Sequence, residues 1–333
     1  MVEGMKSYDN FTQAYVDLCR IIRDESEFVS APRGMKIKEK LGVQLRIKDP
    51  RDRLPYIEAR NFSLSYFVAE TLWYMSGEDS TEWISRYAPF WKDISDDGKT
   101  ANSAYGARIF RRHDRIGNSQ IIQWDYVKEE LQKDPDSRRA VIHIRTPDDS
   151  IHASKDVPCT LALQFFIRES KLHLHVNMRS SDIILGIAYD IPAFTTIQEV
   201  LANELGVELG EYVHTSNSLH CYERDFQMLD AIANSNDNLG RPMPAYPRFF
   251  PTTRLMLVEE QIHRMTDGEL LDGFTPMSFA SNDTTVYDPV AYQLVNDWTS
   301  ILCSFRARKM KDPQLSKRHL LSTDYTGYHF FKR

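Results

Sequence analysis

A mixed α/β (α+β) fold, with one sheet covered by helices, is what the sequence predicts. Three observations lead there. Strand-like and helix-like segments intermingle along the chain. They follow no regular strand-helix-strand repeat. No internal repeat or low-complexity linker divides the 333 residues, so positions 1–333 read as a single domain.

The elements follow in order. Residues 11–25 carry Phe11, Tyr15, Leu18 and Ile22 on one helical face. Arg33-Gly34 sits in a polar loop, and Val43–Ile47 alternates like a strand. Residues 62–76 read as a mostly buried helix that stops at Gly77. Residues 79–118 are loop-rich, and Gln120–Lys133 is helical, ending near Asp134-Pro135-Asp136. Ala140–Arg145, Thr160–Ile167 and Lys171–Met178 read as strands, the last two joined by a turn at Glu169-Ser170. Asp190 stands where an N-cap would stand, with Pro192 near the first turn of a helix. Phe194, Ile197, Leu201 and Leu205 give that helix one apolar face. Short strands such as Leu255–Val258 follow, and residues 288–309 look helical.

Bulk composition narrows the class. Hydrophobic content of 42% and charged content of 26% suit a soluble globular enzyme. A net charge of −6 argues against nucleic-acid binding through bulk charge. No apolar run reaches membrane length, and Met1–Lys6 lacks the apolar core of a signal peptide. Four scattered cysteines, Cys19, Cys159, Cys221 and Cys303, form neither a disulfide framework nor a zinc motif, so a reducing cytoplasmic setting is expected. His173 and His175 share one strand face, but no third ligand accompanies them, so no metal is expected.

The informative stretch runs from Pro158-Cys159-Thr160 to Arg179-Ser180-Ser181-Asp182-Ile183-Ile184-Leu185-Gly186-Ile187-Ala188-Tyr189-Asp190. Around it lie Glu70-Thr71-Leu72-Trp73, Trp91, Tyr105-Gly106, Arg138-Arg139, Gln164-Phe165 and His220-Cys221-Tyr222. In this order the motifs resemble those of the thymidylate synthase superfamily, from about Arg33 to about Tyr222. The resemblance implies that family's fold: a bent mixed sheet with helices on one side, packed back to back in a homodimer. It makes Cys159 the nucleophile that adds to C6 of a pyrimidine nucleoside monophosphate. Arg33, Arg179 and Ser180 would hold the phosphate, together with Arg138 and Arg139 lent by the partner subunit. His220 and Tyr222 would hold the sugar. Glu70 would be a buried acid/base acting through water. Trp91, Asp182 and Gly186 would line the seat of 5,10-methylenetetrahydrofolate.

Each residue type suits that chemistry, and each has a plainer reading. A lone cysteine is usually a small buried hydrophobe, yet a thiolate beside arginines is a soft nucleophile. Arginines after Asp-Pro-Asp are usually solvated, yet guanidinium forks match phosphate. Glu70 interrupts an apolar run, so it lies on an edge or is buried with a purpose. Asp182 reads equally as a turn residue, and Trp91 as a core aromatic.

Position 190 departs from the family, which carries Asn there to read uracil. A carboxyl suits the amino group and ring nitrogen of cytosine. That exchange resembles the deoxycytidylate 5-hydroxymethylases. The expected activity is therefore hydroxymethyl transfer to C5 of a cytidine monophosphate, dCMP before CMP. Thr160 replaces the usual His, Ser218 replaces the usual Asp, and the ending Tyr328–Arg333 does not match the synthases' closing tail. Two other readings stay open: a pyrimidine C5-methyltransferase, and an inactive member that binds nucleotide or RNA.

Overall fold

The structure is a computed structural model describing residues 5–114, 120–151, 153–247, 252–264 and 293–331. Its first strand, β1 (Lys6–Tyr8), leads into α1 (Phe11–Asp24), capped by the Asn10 side chain accepting from the Gln13 N–H at 2.9 Å. The predicted apolar face of α1 is buried. β2 (Phe28–Ser30) and the long β3 (Ile37–Ile47) follow, the latter reaching well before the expected Val43. α2 (Leu64–Ser76) starts at a Ser63 cap and ends at Gly77, whose φ of 73° suits glycine. The segment read as loop-rich contains three short helices, α3 (Thr81–Ile84), α4 (Phe90–Ile94) and α5 (Tyr105–Phe110).

β4 (Arg112–Asp114) pairs with β5 (Gln120–Ile122), so the helix expected from Gln120 begins three residues later as α6 (Gln123–Lys133). The β-branched Ile121-Ile122 pair favours that extended start. β6 (Val141–His143) precedes β7 (Thr160–Arg168) and β8 (Lys171–Met178). Glu169 and Ser170 form the expected hairpin turn, both at positive φ. β9 (Ser181–Asp182) leads to α7 (Ile187–Leu205), then β10 (Glu208–Tyr222) and α8 (Phe226–Ala233). α9 (Thr252–Arg264), α10 (Gln293–Lys309) and α11 (Pro313–Leu321) complete the described chain. Leu255–Val258, read as a strand, lies inside α9. Positions 288–292 and 332–333, and Met1–Gly4, fall outside the described residues.

The main sheet has the strand order β1-β3-β10-β8-β7-β6, with β2 on β3 and β9 on β10. β10 is its axis. It runs antiparallel to β3 and parallel to β8, with a register shift between Leu209 and Tyr212. Gly210 sits in that irregularity, where a Cβ would press on the Leu172 carbonyl at 2.9 Å. One sheet face is dry: Leu163, Phe165, Leu172, Leu174, Val176 and Met178 are fully buried. The buried helix α7 packs on β8 and β10, and α2 packs on α7. The other face leaves Phe166, His173, His175, Asn177 and Thr215 half-buried.

The expected cap at Asp190 is corrected. Gly186 is the N-cap, and Asp190 is the fourth residue of α7, its N–H bonded to the Gly186 carbonyl at 2.9 Å. The turn Ile183–Gly186 tightens one turn earlier than Pro192 suggests. It does so because Asp182 takes the Ile184 and Leu185 N–H groups on its Oδ1, at 2.8 and 3.3 Å.

Candidate active site

Cys159 stands just before β7, held beside the end of β8 by the Arg179 N–H on its carbonyl at 2.8 Å. The Arg179 side chain wraps the loop entering Cys159. Its Nε donates to the Pro158 carbonyl and its Nη2 to the Val157 carbonyl, both at 2.8 Å. Burial raises the Cys159 thiol, and Arg179 and then Arg33 pull it back toward the thiolate. Asp190 and Asp156 oppose them. Arg33 is exposed and lies in the left-handed region at φ 54°, followed by Gly34 at φ 78°.

Two carboxyls face this thiol's neighbourhood from helices. Asp190 projects from the first turn of α7, and burial, with the nearby Asp182 charge, pushes it up to about 7. Gly186 is essential to that placement. A Cβ there would stand 2.9 Å from the Asp182 carbonyl and 3.2 Å from Asp190 Oδ2. Glu70 comes from the middle of α2 and is 5% exposed. Burial pushes it up to about 8, against donation from Tyr66, and the Asp190 charge adds to the rise. The Tyr66 hydroxyl donates to Glu70 at 2.6 Å, and the Trp91 indole N–H donates to that hydroxyl's oxygen at 3.1 Å.

Trp91 is buried, edge-on to Trp73 and stacked with Phe90. Asp182, at the turn before α7, lies close enough to His220 for the two to interact electrostatically. His220 is buried on β10, its ring edge-on to Tyr222 at 5.2 Å. Ser180 is half-buried between β8 and β9. Ser218, where the family resemblance places a carboxylate, hands its hydroxyl to Glu39 of β3.

Cys159, Arg179, Arg33, Asp190 and Glu70 therefore share one electrostatic neighbourhood, and Asp182 and His220 adjoin it. Arg138 and Arg139 lie elsewhere. They are exposed ahead of edge strand β6, and among the described residues neither guanidinium has an ion pair. Among the described residues no cluster suits a metal, and His173 spends its Nδ1 on the Glu211 N–H at 3.1 Å.

Sequence reasoning passed over two tyrosines and gave a third, Tyr105, no role of its own. Tyr66 and Tyr74 flank Glu70 at i−4 and i+4, a spacing that puts all three on one helix face. Tyr105 reaches Thr160, next to Cys159, and its ring lies 5.2 Å from Tyr74. The i, i+4, i+8 spacing was the available signal for the first two.

A part-exposed cysteine at the end of a mixed sheet, two arginines acting on it and two carboxyls raised toward neutrality on adjoining helices form an arrangement suited to covalent chemistry on an anionic substrate. The comparisons with known proteins narrow it. The thymidylate synthase family model matches residues 13–267, and the chain belongs to that family. The deoxyuridylate hydroxymethyltransferase of Bacillus phage SP01 is 36% identical over 222 residues, covering 65% of this chain and 58% of that protein. The chain thus spans little more than half of that relative's length. Thermostable thymidylate synthase A from Bacillus subtilis shares the fold, with a TM-score of 0.59 at 22% identity, over 69% of this chain and 86% of that one. No described helix is long and apolar enough to cross a membrane.

Proposed function

We infer that the protein transfers a hydroxymethyl group to C5 of a pyrimidine nucleoside monophosphate, with a cytidine nucleotide, dCMP first, as the favoured substrate. The observation that carries the reading is Asp190. It is not the cap of its helix, so capping does not explain a carboxyl there. It is half-buried beside Cys159 and Glu70, and desolvation pushes its carboxyl up to about 7.

Family membership implies 5,10-methylenetetrahydrofolate as the one-carbon source. The residues fit such a group: Gly186 leaves a wall that a Cβ would fill, between Asp182 and Asp190. Asp182 and the exposed Leu185 flank that wall, with Trp91 in the aromatic cluster nearby. This group supplies the carbon unit that C5 takes up.

The chain's own residues do the rest. The Cys159 thiolate forms a bond to C6, and the electron pair of the C5–C6 double bond makes C5 nucleophilic. Asp190 and N3 share one proton, which spreads the charge that develops on the ring. Arg33, Arg179 and Ser180, with Arg138 and Arg139 of a partner subunit, take the phosphate, and His220 and Tyr222 the sugar. Once C5 has lost its proton and bears an exocyclic methylene, water adds to that carbon. Glu70 takes the water's proton, the ring double bond re-forms and Cys159 leaves as thiolate.

A second reading concerns the base. The phage relative is named for deoxyuridylate. A neutral carboxyl offers one donor and one acceptor, as an Asn amide does, so a protonated Asp190 also matches uracil N3–H and O4. Kinetics with dCMP, CMP, dUMP and UMP, each with methylenetetrahydrofolate, separate the two. The favoured reading predicts the highest kcat/KM for dCMP. A clear preference for dUMP would transfer the assignment to the second, and no turnover with any would leave a nucleotide-binding protein without this chemistry.

A further inference from the structure

We propose that Tyr66 and Trp91 are positioning residues that fix which oxygen of Glu70 carries a proton, and so aim its other oxygen at the water. This rests on the water-attack reading above. The argument is one of donors and acceptors. An indole N–H donates and never accepts. Trp91 Nε1 lies 3.1 Å from the Tyr66 oxygen, so that oxygen must accept. The hydroxyl's only proton is then free to go the other way, and it meets Glu70 Oε1 at 2.6 Å. Oε1 is thereby committed to accepting. When Glu70 is neutral, its proton sits on Oε2, and when it is charged, Oε2 is the oxygen left to receive one.

The surroundings keep that direction. Tyr74, one turn on in α2, also hydrogen-bonds the Glu70 carboxyl and favours its charged form. From α7, Asp190 opposes it, and the Tyr189 ring lies edge-on to Tyr66 at 4.8 Å. From α5, Tyr105 stands against Tyr74. Trp91 itself is wedged between Trp73 and Phe90, so its N–H cannot turn away without breaking two ring contacts. Because burial already favours the neutral acid, loss of the Tyr66 donor makes the carboxylate rarer still. The chain from Trp91 to Glu70 also ties the acid to one of the residues expected at the folate seat.

The test is an infrared titration of the nucleotide-free protein, with the Glu70 carbonyl band identified by its loss in Glu70→Gln. In Tyr66→Phe the titration should move up by about one pH unit. The acid limb of kcat should move with it, and kcat at pH 7 should fall about tenfold with little change in KM. Trp91→Phe keeps the aromatic volume but frees the Tyr66 oxygen. It should split the protonated Glu70 band, because Oε1 regains access to a proton. An unmoved titration in Tyr66→Phe, or a single unshifted band in Trp91→Phe, overturns the proposal. Both spectra are read without turnover, so they stand apart from any failure of the hydroxymethyl reading, which product analysis detects.

Discussion

Asp190 carries the substrate argument at the scale of single residues. It was legible as a departure from the family pattern, but its setting was not. Position 190 before a proline suggested a cap, whereas the turn closed by Asp182 puts the cap one turn earlier, at Gly186. Removing the capping explanation leaves a carboxyl in the first turn of α7 that makes none of the cap's hydrogen bonds. Asp190→Asn should therefore keep the fold and change the base preference. An amide cannot share a proton with cytosine N3 but still pairs with uracil. Mispairing the buried edge costs about 1–3 kcal/mol, so the ratio of kcat/KM for dCMP over dUMP should fall roughly ten- to a hundredfold. An unchanged ratio would leave Asp190 without a role in base reading. Glu70 and Cys159 were legible only through the motifs around them. The tyrosines that hold Glu70 belong to no motif and emerge only once α2 is a helix.

Elements bring these residues together, and their visibility in the sequence varied with their burial. α1, α2 and the β7–β8 hairpin announce themselves by apolar period. The axial strand β10 does not. His214, Ser216 and His220 are buried polar residues in it, and Ser216 donates to Ser181 at 2.8 Å. Such internal polar pairs erase the alternation that marks a strand. α2 and α5 show the opposite economy. Gly106 lets α5 approach α2 so closely that a Cβ would overlap the Tyr74 carbonyl, with its carbon only 2.7 Å away. Gly106→Ala should force the helices apart and cost about 1–3 kcal/mol of stability. It should also impair turnover, because Tyr74 and Tyr105 both border the site. Chemical denaturation checks the first effect and steady-state kinetics the second. A variant as stable and active as the parent would mean the contact relaxes harmlessly.

Whole-molecule organisation decides whether one chain holds a complete site. Arg138 and Arg139 are exposed before the edge strand β6, apart from Cys159 and unpaired among the described residues. The sheet's outer face is half-buried, with apolar Phe166 among His173, His175 and Asn177, which suits it to a second sheet. A homodimer with shared sites predicts complementation. Inactive Cys159→Ser chains mixed with inactive Arg139→Ala chains should regain up to about a quarter of the parental activity, since half the chains pair unlike and each such pair has one intact site. Subunit exchange demonstrated by labelled chains, with no return of activity, would remove the shared-site arrangement.

The central claim is that water, rather than hydride, completes the reaction. Turnover of dCMP and dUMP with methylenetetrahydrofolate in oxygen-18 water, with mass analysis of the nucleotide and assay for dihydrofolate, tests it most directly. The account predicts a 5-hydroxymethyl nucleotide whose new hydroxyl carries the heavy oxygen, with no dihydrofolate formed. A 5-methyl nucleotide formed together with dihydrofolate would contradict it and make the protein a methyltransferase.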